Sequence, residues 1–199
     1  MYNKCKFCGA KLNEILNLGK MPASNNLAVN ETRNDPEICF PLIFATCKNC
    51  QLFQIFDYGD KVNLFSKDYP YLSSASTTFI NHCKSSFVIQ AKRFNLRKED
   101  FILEVASNDG YLLKEVINLG YSNILGVEPT HIAATISRNK GIPTCEEFFT
   151  LESAKSIVAE HGQANIVLAN NVFAHIPEIN DFIEGLFEIL SDRGVVVIE

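Results

Sequence analysis

The chain has 199 residues, 47% of them hydrophobic and 21% charged, with a formal net charge of −5, the balance of an ordinary globular protein of one medium domain, or a small one plus a medium one. A mild acidic balance without a basic run argues against nucleic acid as the main partner, and no stretch is long and apolar enough to span a bilayer. The N-terminus, Met1-Tyr2-Asn3-Lys4-Cys5, carries no apolar segment to direct secretion, so a cytoplasmic protein without membrane attachment is expected.

Four of the seven cysteines fall in two Cys-x-x-Cys knuckles, Cys5/Cys8 and Cys47/Cys50, separated by 38 residues (9–46). Two such turns present four thiolates tetrahedrally to zinc. Gly9 follows the first pair, where the turn wants a residue tolerant of positive φ. The alternatives are two unrelated pairs of buried thiols or a redox Cys-x-x-Cys. The coincidence of two knuckles, neither opening a βαβ unit, favours Zn2+. A four-thiolate site is closed, so the metal is structural, substituting for a core that a segment of this size cannot build.

Between the knuckles, Leu18-Gly19-Lys20-Met21-Pro22 and the polar run Asn30 to Pro36 read as loops. Cys39, Cys83 and Cys145 lie outside the knuckles and read as small buried apolar side chains. The texture changes near residue 60, dividing the chain into a zinc-binding segment, 1–60, and a larger domain, 61–199.

In the larger domain, Ser73 to Thr77 supply N-cap candidates, and Phe79, Ile80, Cys83, Phe87, Val88 and Ala91 recur at helical spacing, predicting a helix to about Phe94. Strands and helices then alternate. Phe101–Val105 is an apolar strand, followed by a helical stripe of Leu112, Leu113, Val116 and Ile117 closed by Gly120. Ile124–Glu128 is the second strand, with a helix over Thr130 to Asn139 and a stop at Gly141. Ile142–Cys145 is a brief third strand, placed at an edge by Pro143. A helix capped by Thr150 ends at Gly162, Ala164–Ala169 is the fourth strand, Phe182 to Leu190 mark another helix, and Val195–Ile198 is the fifth strand. The pattern predicts an α/β fold with a parallel, doubly wound sheet.

Ligands of such sheets bind at the carboxyl ends of the strands near the topological switch point. The loop after the first strand reads Glu104-Val105-Ala106-Ser107-Asn108-Asp109-Gly110. A dinucleotide fold wants Gly-x-Gly-x-x-Gly there, so that pyrophosphate can approach bare backbone, and only Gly110 satisfies it. A nicotinamide oxidoreductase is thereby disfavoured. The acidic start, small Ala106, turn-forming Asn108 and Gly110 fit the looser loop of class I methyltransferases, whose S-adenosylmethionine carries no phosphate. Glu128, eighteen residues after Gly110, stands where an acid accepts hydrogen bonds from two ribose hydroxyls, although a lone glutamate at a strand end is usually just solvated.

Taken in order along the chain, these segments resemble the S-adenosylmethionine-dependent sugar C-methyltransferases that act on nucleotide-linked keto-deoxysugars. The matching residues are the paired knuckles, Leu18-Gly19 with Pro22, Tyr69 to Ser74, Glu104 to Leu113, Gly126-Val127-Glu128-Pro129 and Ala169 to Ile176. The resemblance implies a class I methyltransferase (Rossmann-like) sheet preceded by a small four-cysteine zinc domain, with methyl transfer from S-adenosyl-L-methionine to a ring carbon beside a ketone, typically C3 of a dTDP-4-keto sugar. Such chemistry asks for a base to take the α-proton, stabilisation of the enolate oxygen and in-line alignment.

By that resemblance Tyr71, Asn171 and His175 line the reaction cleft. From the residues alone His175 is equally a helix-capping histidine before Pro177, Tyr71 a buried aromatic, and Asn171 a satisfier of loop backbone. Glu104, Ala106, Asn108, Asp109, Gly110, Glu128 and Asn170 are the cofactor-binding candidates. Glu147 and Phe148 sit where an adenine ring is often held, though an ordinary loop before a helix is as good a reading. His82, His131 and His161 read as surface residues.

The family continues beyond residue 199, and its Glu-His-x-x-Tyr motif, with the proposed α-proton base, belongs to that later part. The expectation is therefore an N-terminal portion of such an enzyme: a domain, a truncated product or half of a split enzyme. A fifth strand with an uncovered edge and apolar face predicts self-association or a C-terminal partner chain. The contrasting reading is a catalytically inactive, zinc-stabilised cofactor- or partner-binding module.

Overall fold

The chain is described by a computed structural model covering residues 3–25, 34, 36–56 and 69–199. It divides into two units, Met1–Tyr69 with Pro177–Asn180, and Pro70–Ile176 with Asp181–Glu199. The boundary expected near residue 60 and most of the polar run 30–36 lie outside the described residues.

In the first unit β1 (Leu12–Pro22), β2 (Cys39–Cys47) and β3 (Phe53–Ile55) form an antiparallel sheet in that order. This corrects the expectation of loops between the knuckles: Leu18 to Pro22 lie in β1. The register shifts between Glu14 and Leu16 and again between Asn17 and Lys20, so β1 shows no clean alternation of apolar and polar residues. Cys5, Leu12, Ala45 and Cys47 are its small buried cluster, with Ala10, Cys50, Leu52 and Phe56 packed around it. Half the members of this cluster are metal-type ligands, so a segment this poor in core relies on them for more than packing. Cys39 is exposed, against the expectation of a buried thiol, because it opens β2 beside Pro22 at the end of the ladder; Cys83 is buried and Cys145 half-buried.

The second unit begins with a short 3₁₀ turn at Ser73–Ala75 and α1 (Thr77–Arg93). The Ser76 hydroxyl caps α1 by accepting from the Phe79 N–H at 3.2 Å. There follow β4 (Ile102–Val105), α2 (Tyr111–Asn118), β5 (Ile124–Val127), α3 (His131–Asn139), β6 (Thr144–Cys145), α4 (Leu151–His161), β7 (Ala164–Ala169), α5 (Ile179–Ile189) and β8 (Leu190–Ile198). A capping box of Thr150 and Ser153 starts α4.

The five strands stand in the order β6-β5-β4-β7-β8, every neighbouring pair parallel. The chain builds outward from β4 to β6, then returns to the other side of β4. The topological switch point is thus between β4 and β7, as the alternating pattern predicts. Alternation along each strand feeds two cores. Ile102, Ile124, Ile166 and Leu168 pack with Phe87 of α1 and Leu112, Leu113 and Val116 of α2. Leu103, Val105, Leu125, Val127 and Val167 pack with Ala154 and Ile157 of α4 and Phe182, Leu186 and Ile189 of α5. β8 is an edge strand as expected, and its apolar side chains are divided between these layers, Val195 and Val197 on the first and Val196 on the second.

Candidate cofactor site and metal centre

The four knuckle sulfurs converge: the Sγ atoms of Cys5, Cys8, Cys47 and Cys50 all lie within 4.8 Å of one another. Each knuckle is closed by its own backbone. Gly9 donates to the Cys5 carbonyl at 2.9 Å, and Gln51 donates to the Cys47 carbonyl at 3.1 Å. Both are left-handed, φ 71° and 63°, so the turn is the same with glycine in one and glutamine in the other.

Main-chain and side-chain donors aim at the sulfurs. The N–H groups of Asn49 and Cys50 reach Cys47 Sγ at 3.3 and 3.4 Å, and Gln54 Nε2 reaches Cys5 Sγ at 3.3 Å while its Oε1 accepts from the Lys6 N–H. Burial alone would push Cys5 up, but the N–H groups of Cys8 and Phe7 and the Gln54 amide bring its thiol down to about 6. The Ala10 N–H, foremost, lowers Cys8. At Cys50 the Leu52 N–H pulls down, yet burial and the neighbouring sulfurs outweigh it and push the thiol up to about 12. Four clustered sulfurs that cannot all ionise without a cation fit the donor set of Zn2+.

At the carboxyl edge of the second sheet, the loop after β4 turns through alternate left-handed residues, Ala106 (φ 53°), Asn108 (φ 50°) and Gly110 (φ 73°). A Cβ on Gly110, which caps α2, would run into the Ile142 side chain and the Ser137 hydroxyl. Ala106 and Asn108 hold a conformation that costs L-residues about 1–2 kcal/mol each, so the surroundings must over-determine it. Ser107 N–H donates to the Val127 carbonyl at 3.1 Å and Asn108 N–H to Glu128 Oε2 at 2.9 Å. The Asn108 side chain accepts from the Ser73 N–H at 2.7 Å and donates to the Tyr71 carbonyl at 3.1 Å. Asn108 therefore spends its polar atoms on protein, clamping the Tyr71–Ser73 segment to the loop.

Three carboxyl groups are buried here: Glu104 (1% exposed), Asp109 (1%) and Glu128 (4%). Glu104 points to the α1–α2 side of β4, and neither of its oxygens has a hydrogen-bond partner. Burial first, and the charges of Glu128 and Asp109 after it, hold its carboxyl well above the usual range, with the nearby Tyr111 hydroxyl opposing. Glu128 is also raised by burial, opposed by its donors. Its Oε1 accepts from both the N–H and the hydroxyl of Thr130, and its Oε2 from Asn108. One lone pair on Oε2 remains for an outside donor. Asp109 turns its Oδ2 to Lys140 Nζ at 2.9 Å.

Across the switch point, Asn170 Nδ2 donates to the Tyr111 hydroxyl at 3.4 Å, and Tyr111 stacks on Phe79 with centroids 5.3 Å apart. Burial, then Glu104, raises the Tyr111 phenol. Asn171 is left-handed (φ 52°), donating its N–H to the Glu199 carbonyl at 2.9 Å. His175 is exposed and closes a short 3₁₀ turn, Phe173–His175. Tyr71 is exposed beside the loop, against the reading of a buried aromatic. After β6, Glu147 is exposed and Phe148 half-buried. It is the preceding Glu146 that is held, by Arg138 at 2.6 Å and His131 at 2.8 Å, and the hydrogen bonds to those two side chains, Arg138 first, keep its carboxyl low.

The residues that sequence reasoning passed over are Gln54, Tyr111, Thr130 and Lys140. Gln54, Tyr111 and Lys140 act through contacts distant in sequence, Tyr111 inside the matched segment but without a role assigned to it, and Thr130 acts through a hydroxyl spent on Glu128 and not on capping α3. A surface cleft of about 500 Å³ lined by Phe87, Leu96, Lys98, Leu119 and Tyr121 contains none of the candidate residues. No helix among the described residues is long and apolar enough to cross a membrane.

Comparison with known proteins bears on the zinc-binding segment and on the fold. Residues 5–65 match a family described as "Putative zinc binding domain". Over 198 residues, 99% of this chain and 47% of the relative, the sequence is 28% identical to C-methyltransferase NovU of Streptomyces niveus. The chain thus spans about half the length of that relative. Its fold is similar to a S-adenosylmethionine-dependent methyltransferase from Clostridium acetobutylicum ATCC 824, at TM-score 0.50 and 15% identity, covering 70% of this chain and 57% of that one. A SAM-dependent methyltransferase from Anabaena variabilis ATCC 29413 aligns over 56% of this chain and 49% of that one, at TM-score 0.48 and 21% identity. The resemblance drawn from the sequence, to C-methyltransferases with an N-terminal zinc-binding domain, is borne out, as is the class I methyltransferase fold.

Proposed function

We propose that this chain forms the zinc-binding segment and the S-adenosyl-L-methionine site of a C-methyltransferase acting on a nucleotide-linked keto-deoxysugar, with C3 of a dTDP-4-keto sugar as the methyl acceptor. The observation that carries the reading is the pair of buried acids at the carboxyl ends of neighbouring strands, Glu104 with two unpartnered oxygens and Glu128 with one acceptor position left. An orphaned buried carboxyl calls for a donor from a ligand, and the amino group of the cofactor's methionine part supplies one. The remaining Glu128 position takes a ribose hydroxyl. A loop without the glycines that pyrophosphate needs suits a nucleoside lacking phosphates.

Bound there, the cofactor supplies an electrophilic methyl group. The chain's own residues hold and orient. Asn108, Gly110 and Lys140 fix the loop, Asn170 and Tyr111 close the far side of the switch point, and Glu147 and Phe148 lie on the loop that would flank the adenine. Tyr71, Asn171 and His175 would face the acceptor, where hydroxyl, amide and imidazole can hydrogen-bond the ketone oxygen as charge develops on it while a base, which the resemblance assigns to the longer form of the chain, takes the α-proton. With the cofactor held there, its sulfonium would supply the methyl group to the enolate carbon, and these residues would hold the acceptor for that transfer. The reading is supported by the relationship to a C-methyltransferase across 99% of the chain.

The test is incorporation of labelled methyl from S-adenosylmethionine into a dTDP-4-keto-deoxysugar, with the 199-residue chain compared with a longer form extended to its relatives' length. Label in the sugar only with the longer form assigns this chain the cofactor half. Label with neither, despite cofactor binding, identifies a binding module without chemistry.

A further inference from the structure

Asp109 matches a cofactor-binding motif, yet its carboxylate is engaged by the protein itself. Its side chain is buried, Oδ1 has no partner and Oδ2 is bonded to Lys140 Nζ at 2.9 Å. The same ammonium donates to the Asp109 carbonyl at 2.8 Å. Lys140 follows the last turn of α3 and is anchored there by its own N–H to the Ile136 and Ser137 carbonyls. One lysine therefore grips the loop by main chain and side chain at once, from a helix that begins just after Glu128 and Thr130.

The location matters because the loop is strained at Ala106 and Asn108 and carries a buried carboxylate within electrostatic reach of two other buried acids, Glu104 and Glu128. Without the ammonium, Asp109 would be an unpaired buried charge beside Glu104 and Glu128, and the cheapest relief is to swing the loop toward water. That movement would break the Asn108 N–H to Glu128 bond, and with it the geometry of both acids.

We propose that Lys140 is a positioning residue of the cofactor site, acting through Asp109 to hold the loop after β4 in its binding conformation. This rests on the proposed function only for the identity of the ligand; the anchoring itself is a property of the free protein.

Two readouts keep those parts separate. In the free, zinc-loaded chain, amide hydrogen exchange at Asn108 and Gly110 should quicken about tenfold or more in Lys140→Met, while Val167 of β7 exchanges as in wild type; the size is that of a lost charge-assisted hydrogen bond. In calorimetry with S-adenosylhomocysteine, Lys140→Met should bind about tenfold more weakly, Lys140→Arg should retain most of the affinity, and Lys140→Met should add nothing in an Asp109→Asn background. Unchanged loop exchange in Lys140→Met overturns the proposal, as does an equal loss of affinity with and without Asp109. Should wild type bind no S-adenosylhomocysteine while loop exchange responds as stated, the anchor stands and the ligand assignment falls.

Discussion

The backbone N–H of Asn108 donates to Glu128 Oε2 at 2.9 Å, joining the loop after β4 to the acid that follows β5. Glu128 is thus both a candidate ribose ligand and a pillar of the loop that would hold the rest of the cofactor. Replacing it with alanine removes an acceptor from three protein donors as well as from the ligand. Glu128→Ala should therefore lower the affinity for S-adenosylhomocysteine by about 1–3 kcal/mol and also lower the melting temperature of the free protein. Unchanged affinity in a titration would remove Glu128 from the site.

Glu104 makes a pH-dependent prediction. Its folded-state carboxyl is raised by burial, so it binds its proton more tightly folded than unfolded. The sign follows: its contribution to stability is fully present below the unfolded value, about 4.3, and is lost as pH rises through the raised folded value. Glu104→Gln stays neutral throughout. Thermal melts should show the variant gaining on wild type as pH rises above the unfolded value, while cofactor binding weakens because an amide cannot ionise against the cofactor's ammonium. Parallel melting curves across that range would contradict the unpartnered-carboxyl assignment.

The metal centre predicts selective loss. Cys47→Ser, or chelation of the wild type, should abolish zinc retention and melt the sheet of β1, β2 and β3, while the β4–β8 sheet keeps its amide protection. Gln54→Ala should weaken zinc retention less, since it removes a donor to Cys5 Sγ and leaves the four ligands intact. Metal analysis and hydrogen exchange on the same samples check both; full zinc content in Cys47→Ser excludes the four-thiolate site.

How much of this was legible depended on distance along the chain. The second sheet could be read because each strand is a short apolar run set off by turn residues such as Gly120, Gly141 and Gly162, and burial on both faces leaves no other use for such runs. β1 could not, because its register shifts erase the period-2 pattern and most of its side chains are exposed, so no apolar face announces it. The four cysteines were legible as a spacing. Gln54, 49 residues from the Cys5 it supports, was not. Likewise the loop motif placed Asn108 and Asp109 at the site, but only the folded chain shows that their side chains serve Ser73, Tyr71 and Lys140.

Gly110 tests the local geometry. Its left-handed φ and the Ile142 and Ser137 atoms that a Cβ would meet act together. Gly110→Ala should destabilise the second unit by roughly 2–5 kcal/mol, the sum of the left-handed cost and overpacking. A thermal melt indistinguishable from wild type would mean the loop can relax without cost.

The most direct measurement is a calorimetric titration of the zinc-loaded 199-residue chain with S-adenosylmethionine and S-adenosylhomocysteine. Saturable binding of both, lost in Glu128→Ala, is the predicted result. A folded, zinc-loaded chain that gives no saturable heat with either ligand would contradict the assignment of the β4–β5 acids to this cofactor.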